Sequence, residues 1–464
     1  MNSYCRNCMY DKHLDQYPEG IGEKTRQEYQ DAVKTICEGP GCAGSGAEAN
    51  ARIVKLRSRM FGEKGLDYAQ IKRHYNELML SLEEEIREKI RSSADPLGTA
   101  VRYAMTGNYI DFAALENVTE KELEELLGKA QDIRLDENVL EDLRQKIGKA
   151  RSLVYITDNC GEIVLDKLLM LECKRLNPSL EMTVILRSKT AVNDAEIGDA
   201  EQVGLTKIAR CMGNGTDIDG TVLRLMPREV REAVMGADLI LAKGMANYET
   251  MRGCGLPVFY LFLCKCSLFE ERFRVDHLAG VLAGEDPLEQ VRENADPALS
   301  EKYLFRYIHR GEAEEAEEIE RVCFPPNEAC SPEEMRRRVD VDPGQFLVAV
   351  DRQSGRIAGF LNGIAVQEDR LRDEFFTDMS LHDPAADTVF ILSLDVLPQY
   401  RGQGIARELM RLYGIQEKVK GRRRMVLTAH KEKVEMYRKM GFRDKGVSDS
   451  VWGGGPWREM DMPL

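Results

Sequence analysis

The 464-residue chain has no run of about 18–20 apolar residues, so no segment is long enough to cross a membrane as a helix. Its first residues, MNSYCRNCMYDKH, lack the basic stretch followed by an apolar one that a secretory signal needs. Basic residues are outnumbered by acidic ones: the 65 Lys and Arg and 79 Asp and Glu give a net charge of −14. A chain this acidic is a poor general binder of nucleic acid or anionic membranes. We therefore expect a cytoplasmic protein with no nucleic-acid or membrane partner.

Cysteine is too sparse for a disulfide-stapled scaffold, with 12 in the whole chain, and we expect reduced thiols. Cys5 and Cys8 form a C-x2-C pair, and Cys37 and Cys42 follow further along. Four thiols in this order can bind zinc. The alternative is that the first pair starts a helix and packs as small apolar residues. Both interpretations stay open at this point.

The length is roughly three times that of an ordinary ~150-residue domain, which predicts more than one domain. Apolar residues in 1–150 recur three and four apart, as in helices. Over 151–280 the short apolar runs SLVYIT, MTVIL, ADLILA and PVFYLFL alternate with helical segments, which predicts a parallel sheet covered on both faces. A charged segment with two prolines, 281–302, is typical of a linker, and 303–464 has the pattern of a mixed α+β domain. The predicted fold class is α/β, with a helical N-terminal subdomain, a parallel-sheet α/β part and a separate α+β domain.

Polar residues follow three of the predicted strands, at the edge where open parallel sheets bind ligands. They are Asp158, Asn159, Asn193, Asp194 and Lys243. Oxygen ligands without histidine favour a divalent cation such as Mg or Mn, and a lysine beside it suits a phosphate. Each residue taken alone is better explained as a helix cap or turn residue. Their occurrence at three strand ends together favours a binding site.

Four segments carry a family resemblance: DPLGTAVRYAMTGNYIDF at 95–112, TDNCGEIVLDKLLM at 157–170, AVNDAE at 191–196 and AKGMANYET at 242–250. They resemble the damage-control phosphatases built on domain of unknown function 89, and the early C-x2-C resembles the short stand-alone subgroup. The resemblance implies hydrolysis of a small phosphate ester with a divalent metal (Mn, Mg, Co or Ni). It implies metal ligation by Asp158, Asn159 and Asp194, with Asp158 also catalytic. The implied substrate- or phosphate-binding residues are Asn108, Asn193, Lys243, Asn247 and Glu249.

Two points about this chemistry stay open. Attack by water and attack by the Asp158 carboxylate both fit the residues. Carboxyl methyl transfer is a further alternative, but no glycine-rich nucleotide loop follows SLVYIT, which argues against it.

The segment QYRGQGIA at 399–406 lies between the apolar strand FILSLDV and the helical run ARELMRLY. Glycines at such a turn let backbone amides approach a pyrophosphate. Together with VEMYRKMGF at 434–442, the segment resembles the GCN5-related N-acetyltransferases (GNAT). The resemblance implies acetyl transfer from acetyl-CoA to a small amine. Within the arylalkylamine branch described next, Tyr437 matches the tyrosine that protonates the departing thiolate. The alternative is that Tyr437 packs under the Gly441-Phe442 turn. The implied acetyl-CoA contacts are Leu394, Val396, Gln399, Arg401, Gly402, Gln403, Gly404, Ile405 and Ala406.

A narrower resemblance, to the arylalkylamine N-acetyltransferase branch, rests on CFPPNEACSPEEMRRRV at 323–339 and the late WGGGPWREM. Vertebrate members of that branch use two histidines on the central strand as the base, whereas this chain has Phe390 and Leu392 there. His430 and His382 are available, although a lone histidine is more often a surface or packing residue. The favoured interpretation is a fusion of two enzymes. The alternative is that one domain, more readily the acetyltransferase, binds its ligand without turnover and regulates the other.

Overall fold

The computed structural model describes residues 3–39, 44–62, 68–109, 125 and 127–464. The chain divides into two compact units, one of residues 1–251 and 256–285, the other of residues 252–255 and 286–464. In the described part of the chain, no helix combines the length and apolar character that a membrane span requires.

The first unit begins with helices and continues as alternating strands and helices. Its helices are α1 Ser3–His13, α2 Glu23–Glu38, α3 Gly46–Phe61, α4 Tyr68–Ser81, α5 Glu83–Ser92, α6 Pro96–Thr106, α7 Glu137–Lys149, α8 Glu162–Leu176, α9 Ile197–Gln202, α10 Arg228–Met235, α11 Met245–Met251 and α12 Ser267–Phe273. Its strands are β1 Ser152–Ile156, β2 Glu181–Leu186, β3 Arg210–Gly213, β4 Leu239–Lys243, β5 Val258–Leu263 and β6 Gly280–Gly284.

Local sequence signals start several of these helices. Ser45, Asp95 and Asp136 precede α3, α6 and α7, and each side chain accepts a backbone N–H of the first turn. Such caps satisfy donors that the helix itself leaves unpaired. Pro96 at the first position of α6 adds a residue whose fixed φ already suits a helix.

The sheet of the first unit has the strand order β3-β2-β1-β4-β5-β6. All neighbouring strands are parallel except β6, which pairs antiparallel with β5. Every residue of β4 and β5 is buried, as expected for strands covered on both faces. The chain order reverses between β1 and β4, and such a reversal opens a crevice at the carboxyl ends of the two strands. The predicted α/β fold of this part is confirmed.

The second unit is a mixed α+β fold around one sheet of seven strands. Its helices are α13 Glu289–Asn294, α14 Pro297–Ser300, α15 Ala313–Cys323, α16 Pro332–Val341, α17 Ile405–Val419 and α18 Val434–Lys439. Its strands are β7 Tyr303–Tyr307, β8 Phe346–Asp351, β9 Ile357–Val366, β10 Thr388–Val396, β11 Arg424–Ala429, β12 Arg443–Val447 and β13 Arg458–Pro463, in the sheet order β12-β13-β11-β10-β9-β8-β7.

One pair of neighbouring strands in this sheet is parallel. β10 pairs with β11 only from Thr388 to Phe390, although β10 continues to Val396. Past Phe390 the two strands separate, and the gap exposes backbone and side chains that a continuous sheet would cover. A cavity in the second unit opens at this gap.

Residues 281–302, expected to form a linker, are instead ordered structure: the end of β6 and the short helices α13 and α14. Val291 in α13 is 1% exposed and packs into the core of the second unit, against Leu288 and Leu299 among others. Arg292, Glu301 and Lys302 are exposed, whereas the Glu289 side chain is only 13% exposed and pairs with Arg252. The many charged residues of this segment therefore hid the short apolar face of α13 from a reading based on composition. The two units divide after Glu285.

Because Leu241 in β4 is fully buried, Leu241→Ala is expected to lower the free energy of unfolding of the first unit by about 2–5 kcal/mol. Leu225→Ala is the matched control, since Leu225 is 43% exposed, and its effect is expected to stay within about 0.5 kcal/mol. Urea unfolding followed by circular dichroism measures both. Equal effects of the two substitutions would contradict the position of β4 inside the sheet.

Candidate active sites

Asp158 lies two residues beyond the end of β1, at the crevice between β1 and β4. Its Oδ2 accepts hydrogen bonds from Asn108 Nδ2 at 2.8 Å and from Asn159 Nδ2 at 2.9 Å. A cavity of about 180 Å³ opens here. It is lined by Asn108, Asp158, Asn159, Asn193, Met245, Ala246 and Lys265.

The loops after β1 and β2 are joined by backbone hydrogen bonds. Ala195 N donates to Asp158 O at 2.8 Å, and Cys160 N donates to Asn193 O at 2.9 Å. These bonds bring the two predicted ligand pairs together although they are far apart in sequence. Val192, at the turn of the second loop, has a φ of 47°, a conformation that costs energy in a β-branched residue. Such strain persists where the surrounding contacts fix the loop.

Asp194 contacts a buried arginine. Its Oδ2 accepts from Arg187 Nε at 2.6 Å, and Arg187 is 1% exposed. Burial raises the pKa of Asp158 to about 6, with the nearby Glu162 contributing and Arg187 opposing. Burial also raises the pKa of Asp194 well above its usual range, with Asp158 adding to the effect. Two carboxylates that repel each other in a desolvated crevice are stabilised by a cation between them.

The donor set suits a hard divalent cation. Oδ1 of Asp158 and Oδ1 of Asp194 accept no hydrogen bond from the described residues, so each remains available as a ligand oxygen. Asn159 uses its amide nitrogen in hydrogen bonds to Asp158 and Glu162, which leaves its carbonyl oxygen. Oxygen-only ligands of this kind fit Mg or Mn better than softer metals.

Gly244, the residue after β4, has a φ of +82° and approaches Asp158 closely. A Cβ at this position would lie 2.1 Å from Asp158 Oδ2, far inside a van der Waals contact. The absence of a side chain at Gly244 therefore makes room for the Asp158 carboxylate.

Lys243 differs from its expected role. Its Nζ donates to Ala104 O at 2.6 Å, to Glu162 Oε1 at 2.5 Å and to Asp166 Oδ1 at 2.6 Å, and the side chain is fully buried. These three acceptors use all three of its N–H groups. In this structure the Lys243 side chain therefore faces the core and not the cavity, and its contact with a substrate phosphate stays a prediction. The position of Lys243 at the carboxyl end of a parallel strand suggested a ligand-binding role, but the sequence could not show that its side chain turns into the core.

Asn247 and Glu249 also lie outside the lining of the cavity. Asn247 is fully buried, and its Nδ2 donates to Lys243 O at 2.6 Å and to Thr157 O at 3.1 Å, which joins the ends of β1 and β4. Glu249 Oε1 accepts from Gly46 N at 2.5 Å, at the start of α3. Neither residue lines the cavity, and their contact with a substrate stays a prediction.

Lys265 is the cavity-lining cation that the motif analysis missed. It follows β5 by two residues, and its charge lowers the pKa of Asp158. PVFYLFL is a further predicted strand, and polar residues just beyond its carboxyl end, such as Lys265, could have been included among the candidates. It takes the position expected of Lys243, beside the carboxylates and open to a ligand.

The second site is a cavity of about 640 Å³ where β10 and β11 separate. Of the predicted acetyl-CoA contacts, Leu394, Val396, Arg401, Gly402, Gly404, Ile405 and Ala406 line it. Gln399 is exposed and Gln403 accepts a hydrogen bond from the Tyr303 hydroxyl at 2.8 Å, and neither lines the cavity. Gly404, with a φ of 94°, caps α17 and turns the free N–H groups of its first turn toward the opening.

Tyr437 in α18 lines the same cavity, and burial together with Asp395 raises the pKa of its hydroxyl above the usual value. Phe390 is buried against Phe375, with ring centroids 5.0 Å apart, and offers no base. His382 has a side chain only 4% exposed and lies 3.4 Å from Asp342, outside the cavity lining. His430, by contrast, lines the cavity.

The proposed zinc ligands can be followed only in part. Cys42 lies outside the described residues. Cys37 is 3% exposed and packs among the apolar residues of α1–α3. Across the described ranges there is no group of three or more His, Cys, Asp or Glu side chains placed to hold a metal ion. The zinc interpretation stays a prediction.

Comparison with known proteins identifies both units. Residues 4–279 match the family model of the damage-control phosphatase ARMT1-like domain, and residues 313–442 match the GNAT acetyltransferase family. The chain belongs to the damage-control phosphatase ARMT1-like family and carries a GNAT domain after it. Both family assignments made from motifs are confirmed, whereas the arylalkylamine branch stays a prediction.

Individual relatives cover the first unit. The chain is 34% identical over 223 residues to a damage-control phosphatase of Archaeoglobus fulgidus, which covers 47% of this chain and 76% of the relative. It is 32% identical over 177 residues to a damage-control phosphatase of Pyrococcus horikoshii, or 38% of this chain and 61% of the relative. A crystal structure of a DUF89 family protein from Pyrococcus horikoshii has the same fold, with a TM-score of 0.51 and 24% identity, over 62% of this chain and 99% of that chain.

Lys243→Met removes the cation that Glu162 and Asp166 share in the core, so it is expected to destabilise the first unit by about 3–5 kcal/mol. Lys265→Met removes a lysine at the cavity edge and is expected to change stability by less than about 0.5 kcal/mol. Urea unfolding of the two variants separates these outcomes. A stable Lys243→Met protein would show that the buried ion pairs are wrongly placed.

Proposed function

We propose that the chain is a bifunctional enzyme, a divalent-metal-dependent phosphomonoesterase followed by an acetyl-CoA-dependent N-acetyltransferase. The first activity is supported by Asp158, Asn159 and Lys265, which line one cavity at the β1/β4 crevice. Asp194 does not line the cavity but is joined to Asn159 by a backbone bridge. The second is supported by the glycine-rich turn and Tyr437, which line one cavity. Two relatives of the first unit carry the name damage-control phosphatase, which agrees with this assignment.

In the phosphatase, Asp158, Asn159 and Asp194 would hold the cation, which would neutralise charge on the phosphoryl oxygens. The Lys265 ammonium binds the same phosphoryl group from the cavity wall, with the Asn193 side chain beside it. Asp158 orients the nucleophile or attacks phosphorus itself, and the two amide donors on its Oδ2 fix the carboxylate for either role. A cavity of about 180 Å³ accommodates a phosphate and a small organic body, so the substrate class is a small phosphometabolite.

Phosphatase activity on a general phosphomonoester is expected to disappear with EDTA and return with Mg or Mn. Asp158→Asn is expected to lower the rate by at least ~100-fold, the scale seen when a ligand or nucleophile is lost. Lys265→Met is expected to raise KM through lost phosphate binding. Lys24→Met is the control, since the Lys24 side chain is 91% exposed on α2. Full activity of Asp158→Asn, or in EDTA, would overturn the assignment of the site.

In the acetyltransferase, the backbone amides of the glycine-rich turn before α17 bind the pyrophosphate of acetyl-CoA, and the thioester lies where β10 and β11 separate. The hydroxyl of Tyr437 gives its proton to the departing thiolate. Beyond it, the cavity is lined by Phe376, Trp452, Trp457 and Glu328. Phe376 and Trp452 stack with centroids 4.9 Å apart. Flat aromatic walls beside a carboxylate suit a cationic amine with an aromatic group, so an arylalkylamine is the proposed acceptor.

Gly404→Asp is expected to weaken acetyl-CoA binding by at least ~100-fold, because the left-handed backbone disfavours a side chain and the new carboxylate repels the pyrophosphate. Gly355→Asp is the control, since Gly355 has a φ of +72° in an exposed turn with nothing within 4 Å.

Tyr437→Phe is expected to bind acetyl-CoA normally and to transfer acetyl groups ~10²-fold more slowly. Calorimetry and a CoA-release assay measure these effects. Binding of acetyl-CoA without release of CoA across a panel of amines would favour the sensor alternative.

A further inference from the structure

The acetyltransferase cavity contains a histidine paired with a carboxylate. His430 follows β11, and its Nε2 lies 3.1 and 3.2 Å from the two carboxylate oxygens of Glu328. The side chains are 31% and 10% exposed, and both residues line the cavity that Tyr437 also lines. The pair is therefore accessible to a bound substrate and partly shielded from solvent.

Two aromatic residues fix this pair in place. The Trp457 ring stacks on the His430 imidazole, with centroids 4.0 Å apart and planes at 26°. Trp452 Nε1 donates to Glu328 O at 2.9 Å, and Trp457 Nε1 donates to Trp452 O at 2.7 Å. Asn327 Nδ2 donates to Gly453 O. The FPPNEACS and WGGGPW segments, distant in sequence, together form the wall that holds the imidazole.

The hydrogen bond to Glu328 determines which imidazole nitrogen can act as a base. A carboxylate acceptor at Nε2 places the proton there and leaves the lone pair on Nδ1. Nδ1 has no hydrogen-bond partner among the residues that the structure describes. An acquired proton on Nδ1 would make an imidazolium that the Glu328 carboxylate stabilises.

Other groups near the cavity are less suited to this role. Glu320 also lines the cavity, but its Oε2 accepts from Ser393 Oγ at 3.0 Å and its Oε1 from Cys330 N at 2.9 Å. Leu392 has no proton to exchange. His382 lies outside the cavity lining.

We propose that His430 is the base of the acetyltransferase and that Glu328 is its positioning residue, an inference that rests on the proposed acetyl transfer. His430 Nδ1 takes one proton from the substrate ammonium, which leaves a neutral amine. The amine nitrogen attacks the thioester carbonyl carbon, a C–N bond forms and the C–S bond breaks. Tyr437 gives its proton to the thiolate and regains one from the nitrogen of the adduct. The proton on His430 passes to solvent, so one proton is released per amide formed.

A base that removes the ammonium proton matters less when the amine is already neutral. Phenethylamine and its β,β-difluoro analogue have nearly the same shape, but the fluorines withdraw electrons and make the second amine a much weaker base. For His430→Gln in the full chain, kcat/KM is expected to fall ~10²–10⁴-fold with phenethylamine and less than ~10-fold with the fluorinated amine. His277→Gln is the control, because His277 is also paired with a carboxylate, Glu270, at 2.7 Å in the other unit. Equal losses on both amines, or no loss, would overturn the assignment of His430.

The positioning role of Glu328 has its own readout. Long-range ¹H–¹⁵N correlation of histidine-labelled full chain is expected to show neutral His430 protonated on Nε2, and Glu328→Gln is expected to lose this preference while Glu328→Asp retains it. An Nδ1–H tautomer in the wild type would overturn the proposal whatever amine is used. If the wild type acetylates neither amine, the proposed acceptor class is wrong. The tautomer measurement then still tests whether Glu328 holds the His430 proton on Nε2.

Discussion

The first unit depends on one buried cation. Lys243 lies in the core with its three N–H groups on Ala104 O, Glu162 and Asp166, so it joins α6, β4 and α8 at a single point. Glu162 in turn accepts from Asn108 and Asn159, the two amides that also hold the Asp158 carboxylate. A buried charge is tolerated only when it is paired and hydrogen-bonded. The same requirement that fixes the packing of three elements therefore fixes the orientation of the proposed nucleophile or metal ligand.

The two units use the same feature of parallel strands in different ways. In the first, the strand order reverses between β1 and β4, and side chains from both strand ends meet in the crevice. In the second, β10 and β11 pair over three residues and then separate, which exposes the turn before α17. The first site provides carboxylates and a lysine, which suits a cation and a phosphate. The second provides backbone amides and apolar walls, which suits a pyrophosphate with a long thioester arm.

The proposed phosphate ester and acetyl-CoA are both anionic, yet the chain carries a net charge of −14. Net charge governs general attraction to polyanions, whereas binding in a cavity depends on the few groups that line it. Lys265 and the glycine-rich turn supply local positive potential, and a divalent cation held by Asp158, Asn159 and Asp194 would supply more. Global charge and local chemistry therefore do not conflict.

The sequence by itself determined the two families, the order of strands and helices, and the positions of Asp158, Asp194, Gly404 and Tyr437, because each of these follows from a local pattern. Only the tertiary structure decided where side chains point: Lys243 turns into the core, Lys265 faces the cavity, and Glu328 meets His430 across 102 residues of chain. The apolar face of α13 is likewise identified only by its packing against the core of the second unit. Periodicity and motifs encode the path of the backbone, whereas contacts between distant residues depend on how the folded elements pack.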